Sequence, residues 1–381
     1  MSREVLLKVE NLKQHFKVSK KQTVMAVDGI SFEILKGETF SLVGESGSGK
    51  STTGRSIIKL YQITDGEIYF NNKRISIGDK QFKRLKHIIR ESKEGYDGKK
   101  INELRAEVKR LKSTTHTDRL KEYEEKLSNA INTKVKINHK DIEELKLDLR
   151  QAQVDNMVDR DFRQKMQMIF QDPMASLNPR KKVIDIIGQG LVVNGLVSSE
   201  KEKEEKVIAI LEKVGLLKDH LHRYPHQFSG GQRQRIGIAR AMIMNPDFVI
   251  ADEAISALDV SIQAQVINLL KALQEETGVT YLFIAHDLSM VKYISDRVGV
   301  MHKGHIVEMG TVEDVYENPV HPYTKSLLSA IPEPNPRLEK VRKRDIYDQK
   351  NINYTGGKIQ HLSDTHTVLA TDYELEKWLG K

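Results

Sequence analysis

The chain contains no cysteine among its 381 residues. Disulfides, thiolate-bound metals and cysteine-held iron–sulfur clusters are therefore excluded, and no iron–sulfur cluster is expected. A chain without thiols has no use for an oxidising compartment, so the cytoplasm is its expected home. Long apolar runs are also missing. The longest, such as Phe248–Ala251 and Val298–Met301, fall far short of a bilayer span. Met1-Ser2-Arg3-Glu4 leads directly into alternating residues, which predicts no secretory leader. Apolar residues still make up 39% of the chain, enough for a substantial core. The length suits one large domain or two to three smaller ones.

The formal net charge is +8. Most of the excess sits in one place: Lys80 to Arg160 holds 21 basic and 15 acidic residues, a net of +6. Such a module suits nucleic acid, an acidic protein face or anionic lipid headgroups.

The strongest chemical signal is Gly44-Glu45-Ser46-Gly47-Ser48-Gly49-Lys50-Ser51, followed by Thr52. The apolar run Phe40–Val43 predicts a buried strand before it, and the residues after Lys50 predict a helix. Glycines 44, 47 and 49 let the backbone curl so that its N–H groups converge on one point. Those donors and the helix N-terminus suit the phosphates of a nucleotide. Lys50 can reach between the β- and γ-phosphates, and Ser51 can ligate Mg²⁺.

Downstream, Phe248–Ala251 reads as a central parallel strand ending on Asp252-Glu253. A carboxylate at that end faces the ligand in an α/β sheet. Asp252 suits a Mg²⁺ role and Glu253 that of a base for the attacking water. His286 closes the strand Tyr281–Ala285 in the same way and suits a donor to the γ-phosphate. Ser229-Gly230-Gly231-Gln232 opens a further helix. It is either an ordinary N-cap or a second anion-binding start serving a nucleotide held by another subunit.

Between about Gln81 and Arg160 the pattern turns helical and charged. Ile101, Leu104, Val108 and Leu111 share helical spacing, as do Leu120, Leu127 and Ile131, then Ile142, Leu145 and Leu149. Two long amphipathic helices, turning near Ser128-Asn129 or Asn132-Thr133, make a hairpin over about 98–156. The other reading is a loose charged insertion. His15, His87, His116 and His139 show no ligand-like spacing and read as surface residues.

Taken together, these motifs resemble the ATPase subunit of an ATP-binding-cassette (ABC) transporter. More narrowly, they resemble the second ATPase subunit of bacterial oligopeptide/dipeptide importers. Gly44–Ser51 is similar to the Walker A loop, Gln171 to the Q-loop and Ser229–Gln232 to the signature motif. Phe248–Glu253 resembles Walker B, Ser256-Ala257-Leu258-Asp259 the D-loop, and His286 the switch histidine. The strings Gln171–Arg180 and His321–Pro332 resemble the importer branch in particular.

The resemblance spans about 5–78 and 160–340, leaving the insertion and the tail after Arg344 outside it. It implies an α/β P-loop NTPase: a RecA-like core, an N-terminal antiparallel β subdomain and an α-helical subdomain, here with an inserted helical hairpin. The expected divisions are 1–80, 81–160 for the insertion, 161–230 for the Q-loop and helical part, 231–315 for the rest of the core, and 316–381 for the C-terminal extension. Catalysis is implied for Glu253, His286, Gln171 and Lys50, and Mg²⁺ binding for Ser51, Gln171 and Asp252. Nucleotide contact is implied for Gly44–Thr52, for Ser229, Gly230, Gly231, Gln232 and Asp259 across a dimer, and for Phe16. Phe16 either stacks on adenine or packs in the small sheet.

The implied partners are a second cassette, two transmembrane permease subunits and, indirectly, an extracytoplasmic peptide-binding protein. They place the chain peripherally on the cytoplasmic face of the bacterial membrane, with no nucleic acid expected. A soluble cassette ATPase of DNA repair or chromosome organisation is the alternative, since those also carry an insertion between Walker A and the signature. Two departures stand out: Ala254 replaces the usual proline, and the insertion falls where close relatives are expected to have a short loop.

Overall fold

A computed structural model describes residues 4–19, 22–93, 96–112, 117–132, 139–158, 160–331, 347, 354 and 356–380. The chain opens with β1 (Val5–Lys17) and β2 (Thr23–Leu35), an antiparallel pair. Next come β3 (Thr39–Val43), α1 (Lys50–Ile57), β4 (Asp65–Phe70) and β5 (Lys73–Ile77). Strands β2-β1-β4-β5 form the small antiparallel sheet that the N-terminal pattern predicts.

Among the described residues the charged segment contains α2 (Asp79–Lys93) and then, where two helices were expected over about 98–156, three: α3 (Gly98–Lys112), α4 (Thr117–Asn132) and α5 (His139–Asp155). The hairpin is α3 against α4, while α2 packs on both α3 and α5. Helix α3 carries the Ile101 series, α4 the Leu120 series and α5 the Ile142 series, so the periodicity locates the helices correctly. Of the two expected turns, Ser128-Asn129 lies within α4, whereas α4 ends at Asn132 and α5 begins at His139; Thr133 is outside the described residues. One helix ends at Lys112 and the next begins at Thr117, a division that the expected pair of helices did not include.

This segment is clipped to the core where it leaves and where it returns. The Asn156 amide pairs with the backbone of Ile77, accepting from its N–H at 2.9 Å and donating to its carbonyl at 3.1 Å. Arg74 of β5 donates to Asp148 at 2.6 Å and Asp155 at 2.7 Å. Asp155 is nearly fully buried, so Arg74→Ala strands a carboxylate without its cation. The expected loss of stability is about 2–3 kcal/mol, read by chemical denaturation, with nucleotide affinity unchanged. A neutral result would mean that the insertion is not anchored through this arginine.

The core then resumes with α6 (Arg160–Lys165), β6 (Met166–Ile169), α7 (Pro173–Ser176), α8 (Val183–Asn194), α9 (Glu200–Lys213) and α10 (Gly230–Met242). It continues through β7 (Phe248–Asp252), α11 (Val260–Thr277), β8 (Thr280–Ala285), α12 (Leu288–Ile294), β9 (Arg297–His302) and β10 (His305–Thr311). Helices α13 (Val312–Glu317) and α14 (Pro322–Ser329) follow, then β11 (Lys358–His361), β12 (Thr367–Ala370) and α15 (Asp372–Leu379).

The large sheet runs β11-β12-β10-β9-β3-β8-β7-β6, and β9, β3, β8, β7 and β6 are mutually parallel. Its central strands β3, β8 and β7 are buried throughout and mostly apolar because both faces are covered. Val249, Ala251, Tyr281 and Phe283 face the core shared with the helical region. Phe248, Ile250, Leu282 and Ile284 face the core shared with the small sheet. Alternation along each strand thus serves two cores at once.

Candidate active site

The parallel register decides where chemistry can occur. Val43 lies beside Ala285, Asp252 beside Ile284 and Ile169 beside Ala251. The segments leaving β3, β7, β8 and β6 therefore emerge at one edge, the carboxyl end where α/β sheets bind ligands. A cavity of about 470 Å³ opens there. It is lined by Ala26, Ser46, Gly47, Gly49, Lys50, Ser51, Thr52, Gln171, Glu253 and His286.

Glycine is required in the phosphate loop. A Cβ at Gly44 would stand 2.1 Å from the Met301 carbonyl oxygen, and one at Gly49 2.3 Å from that of Ala26. Gly44, Gly47 and Gly49 also have φ of +146°, +82° and +107°. No side chain caps α1, which leaves its first-turn N–H groups to meet an anion. Lys50 is 4% exposed. Its ammonium donates to the carbonyls of Gly44 at 2.7 Å and Glu45 at 2.8 Å, and to Ser48 Oγ at 3.4 Å. Burial lowers its pKa, while the carboxylates of Glu253, Asp252 and Glu45 act in the opposite direction.

Ser51 Oγ donates to the fully buried Asp252 at 2.6 Å, and Arg55 reaches the other carboxylate oxygen at 3.3 Å. Arg55 was not singled out from the sequence, although it sits four residues after Ser51 and so on the same helix face. Glu253 Oε2 accepts from Gln171 Nε2 at 2.7 Å and lies 3.6 Å from His286 Nδ1. Glu253 has φ +47°, a left-handed conformation that costs a non-glycine residue about 1–3 kcal/mol. The turn is held by Glu253 N–H on the Ile284 carbonyl, and by the backbone N–H and hydroxyl of Ser256 on the Glu253 carbonyl. These bonds fix the turn at Ala254 without a proline ring.

Other candidates lie apart. Phe16 is half-buried in β1, edge-on to Tyr61 at 5.3 Å, and does not line the cavity. Ser229 caps α10 in a reciprocal box with Gln232. Ser229, Gly230 and Asp259 are exposed, and Ser229, Gly230, Gly231, Gln232 and Asp259 all lie outside the cavity lining. Gly231 has its own reason: a Cβ there would meet Ile262 of α11 at 2.7 Å.

Two of the four histidines read as surface residues, His15 and His87, are more engaged than their spacing suggests. His15 pairs with Asp28 at 3.1 Å and His87 lies 3.3 Å from Glu91; His116 lies outside the described residues. A further group was not foreseen at all. His302, His321 and Tyr323 are buried together, and burial pushes His302 down to about 4 and His321 to about 3.

Two family descriptions match the chain: "ABC transporter" over residues 27–146 and 126–256, and "Oligopeptide/dipeptide transporter, C-terminal region" over 307–357. The chain belongs to the ABC transporter family. This cassette is 47% identical to the oligopeptide transport ATP-binding protein OppF of Bacillus subtilis, over 98% of both chains. It is 46% identical to OppF of Streptococcus mutans, over 100% of this chain and 99% of the other. It is 44% identical to the dipeptide transport ATP-binding protein DppF of Lactococcus lactis, over 97% and 96%. The ABC transporter description falls on the chain in two stretches that overlap within the insertion, at 126–146.

Among solved structures, a dimeric ATP-binding cassette with bound ADP and phosphate superposes with a TM-score of 0.55 at 21% identity. It covers 81% of this chain and 99% of that one. A cassette from a Clostridium perfringens ABC transporter complex gives 0.54 at 23%, covering 83% and 92%. Both show the fold. The cassette is an ATPase by family, and among its described residues no helix is long and apolar enough to cross a membrane.

Proposed function

We propose that this cassette hydrolyses ATP to drive import of oligopeptides or dipeptides, as one of two cassettes that close on the nucleotide. The observation that carries the catalytic part is Glu253, held between Gln171 and His286 at the cavity floored by the phosphate loop. The cargo class is supported by the names of the full-length relatives.

In this reading the triphosphate lies along the loop N–H groups, with Lys50 between the β- and γ-phosphates. The pairing of Ser51 Oγ with the buried Asp252 puts two hard oxygen donors together, and Gln171 stands beside them, a set suited to Mg²⁺. The ion, when bound with nucleotide, neutralises charge on the phosphates. Glu253 takes the proton of the attacking water as its oxygen bonds to the γ-phosphorus and the β–γ bridge breaks. His286 donates to the γ-phosphate oxygens. Phe16 offers its ring to the base.

The exposed Ser229, Gly230 and Asp259, with Gly231 and Gln232, serve the nucleotide of the facing cassette. That cassette is a sister subunit. An apolar groove of about 450 Å³, lined in part by Leu60, Phe162, Met168, Phe170, Ile186 and Met244, includes the residue just before Gln171 in the chain and fits a helix from a permease subunit. Two permeases and an extracytoplasmic peptide-binding protein complete the transporter, with the cassette peripheral on the cytoplasmic face. The DNA-repair alternative draws no support from the relatives. Mild detergent extraction and co-purification from the native host test the assignment. Recovery of two permease subunits and a second cassette is expected, and recovery of the chain free of membrane protein would sink it.

A further inference from the structure

The phosphate loop is tied to the chain that follows β9. The Gly304 N–H donates to the Ser48 carbonyl at 2.9 Å, and the Met301 carbonyl closes on Gly44. A third tie comes from farther along: the backbone N–H of Glu45 donates to the hydroxyl of Tyr323, in α14, at 3.0 Å. Tyr323 is 1% exposed, so bulk water has little room to replace that hydroxyl.

The ring is held on several sides. It lies 4.2 Å from His302 and 5.2 Å from Tyr347 between ring centroids. The Tyr323 backbone N–H donates to His321 Nδ1 at 3.0 Å. The His321 and Val320 N–H groups donate to the buried Glu308 carboxylate at 3.0 and 2.8 Å, and His366 Nε2 lies 2.8 Å from it. On the loop side, the carbonyl of the same Glu45 accepts from Lys50 Nζ at 2.8 Å. One residue therefore connects the C-terminal cluster to the lysine of the phosphate loop.

We propose that Tyr323 is a positioning residue for nucleotide binding. Its hydroxyl fixes Glu45, and through it the start of the loop and the Lys50 ammonium, in the geometry that receives a triphosphate. The C-terminal segment thereby becomes part of the nucleotide site without touching the nucleotide. This inference rests on the reading that Gly44–Ser51 binds ATP.

Tyr323→Phe keeps the ring between His302 and Tyr347 and removes only the acceptor for Glu45. With the full chain and ATP·Mg as the titrant, Kd is expected to rise about fivefold. In the assembled transporter, KM for ATP rises while kcat at saturation holds. Tyr347→Phe is the matched control. It removes a 3.0 Å hydroxyl contact to Tyr354 in the same cluster and does not disturb the Glu45 bond, so its ATP Kd stays at the wild-type value. Equal Kd values for the two variants, or a kcat loss without a KM change in Tyr323→Phe, would overturn the proposal. Lys50→Ala in the same titration separates the failures. Undiminished binding there would remove the nucleotide-site reading itself. Lost binding there, with wild-type affinity in Tyr323→Phe, would remove only the role given to Tyr323.

Discussion

Glu253→Gln in the assembled transporter is expected to bind ATP normally and to lose hydrolysis by about 10²- to 10⁴-fold. The amide has nearly the shape of the carboxylate, so the strained turn at φ +47° and its bonds to Ile284 and Ser256 are retained. The change falls on one property: an amide cannot take the proton of the attacking water. Gln171, which donates to the Glu253 carboxylate at 2.7 Å, can still donate to the amide oxygen. The closed, ATP-loaded pair of cassettes should therefore accumulate. Steady-state ATPase rate and nucleotide retention after rapid gel filtration measure both halves. Near-normal turnover would show that Glu253 is not the base.

Lys50→Ala is expected to fail one step earlier, at binding. The wild-type ammonium is buried and converges with three loop oxygens: the Gly44 and Glu45 carbonyls and Ser48 Oγ. Alanine removes the cation, leaving the Glu45 carbonyl only the Ser48 N–H at 3.2 Å, at a site where the ligand itself is strongly negative. A charge-assisted hydrogen bond is worth about 1.5–3 kcal/mol, so ATP affinity should fall by about 10- to 100-fold. The contrast between the two variants is the sharper result. Titration calorimetry should find Glu253→Gln near wild type and Lys50→Ala weakened. Equal affinities would mean that Lys50 does not contact the phosphates.

Much of this site is legible along the chain because each part is local. A glycine-rich loop, a strand-end Asp-Glu and a strand-end histidine each announce their place by the apolar run before them. What local pattern cannot supply is distance across the fold. Arg55 meets Asp252, and Tyr323 meets Glu45, across separations of 197 and 278 residues. In the insertion, apolar spacing marks every helix from Ile101 onward, and α4 ends at the expected Asn132, yet the division between Lys112 and Thr117 leaves no mark in it. Helix spacing resumes with the same period on both sides of a break, so periodicity alone cannot count helices.

The strand-to-phosphate-loop unit, the apolar strands and the chemistry of Lys50, Asp252, Glu253 and His286 were determined by the sequence itself. They depend on residue type and on neighbours within a few positions. Tertiary structure decided which strand ends share an edge, because only the parallel register sets Val43, Asp252 and Ala285 side by side. It also decided that the signature residues stand outside the cavity in a single chain, and that a buried tyrosine near the C-terminus holds the phosphate loop. Such contacts arise when separate elements pack into a common core, and their partners carry no mark of one another in the linear chain.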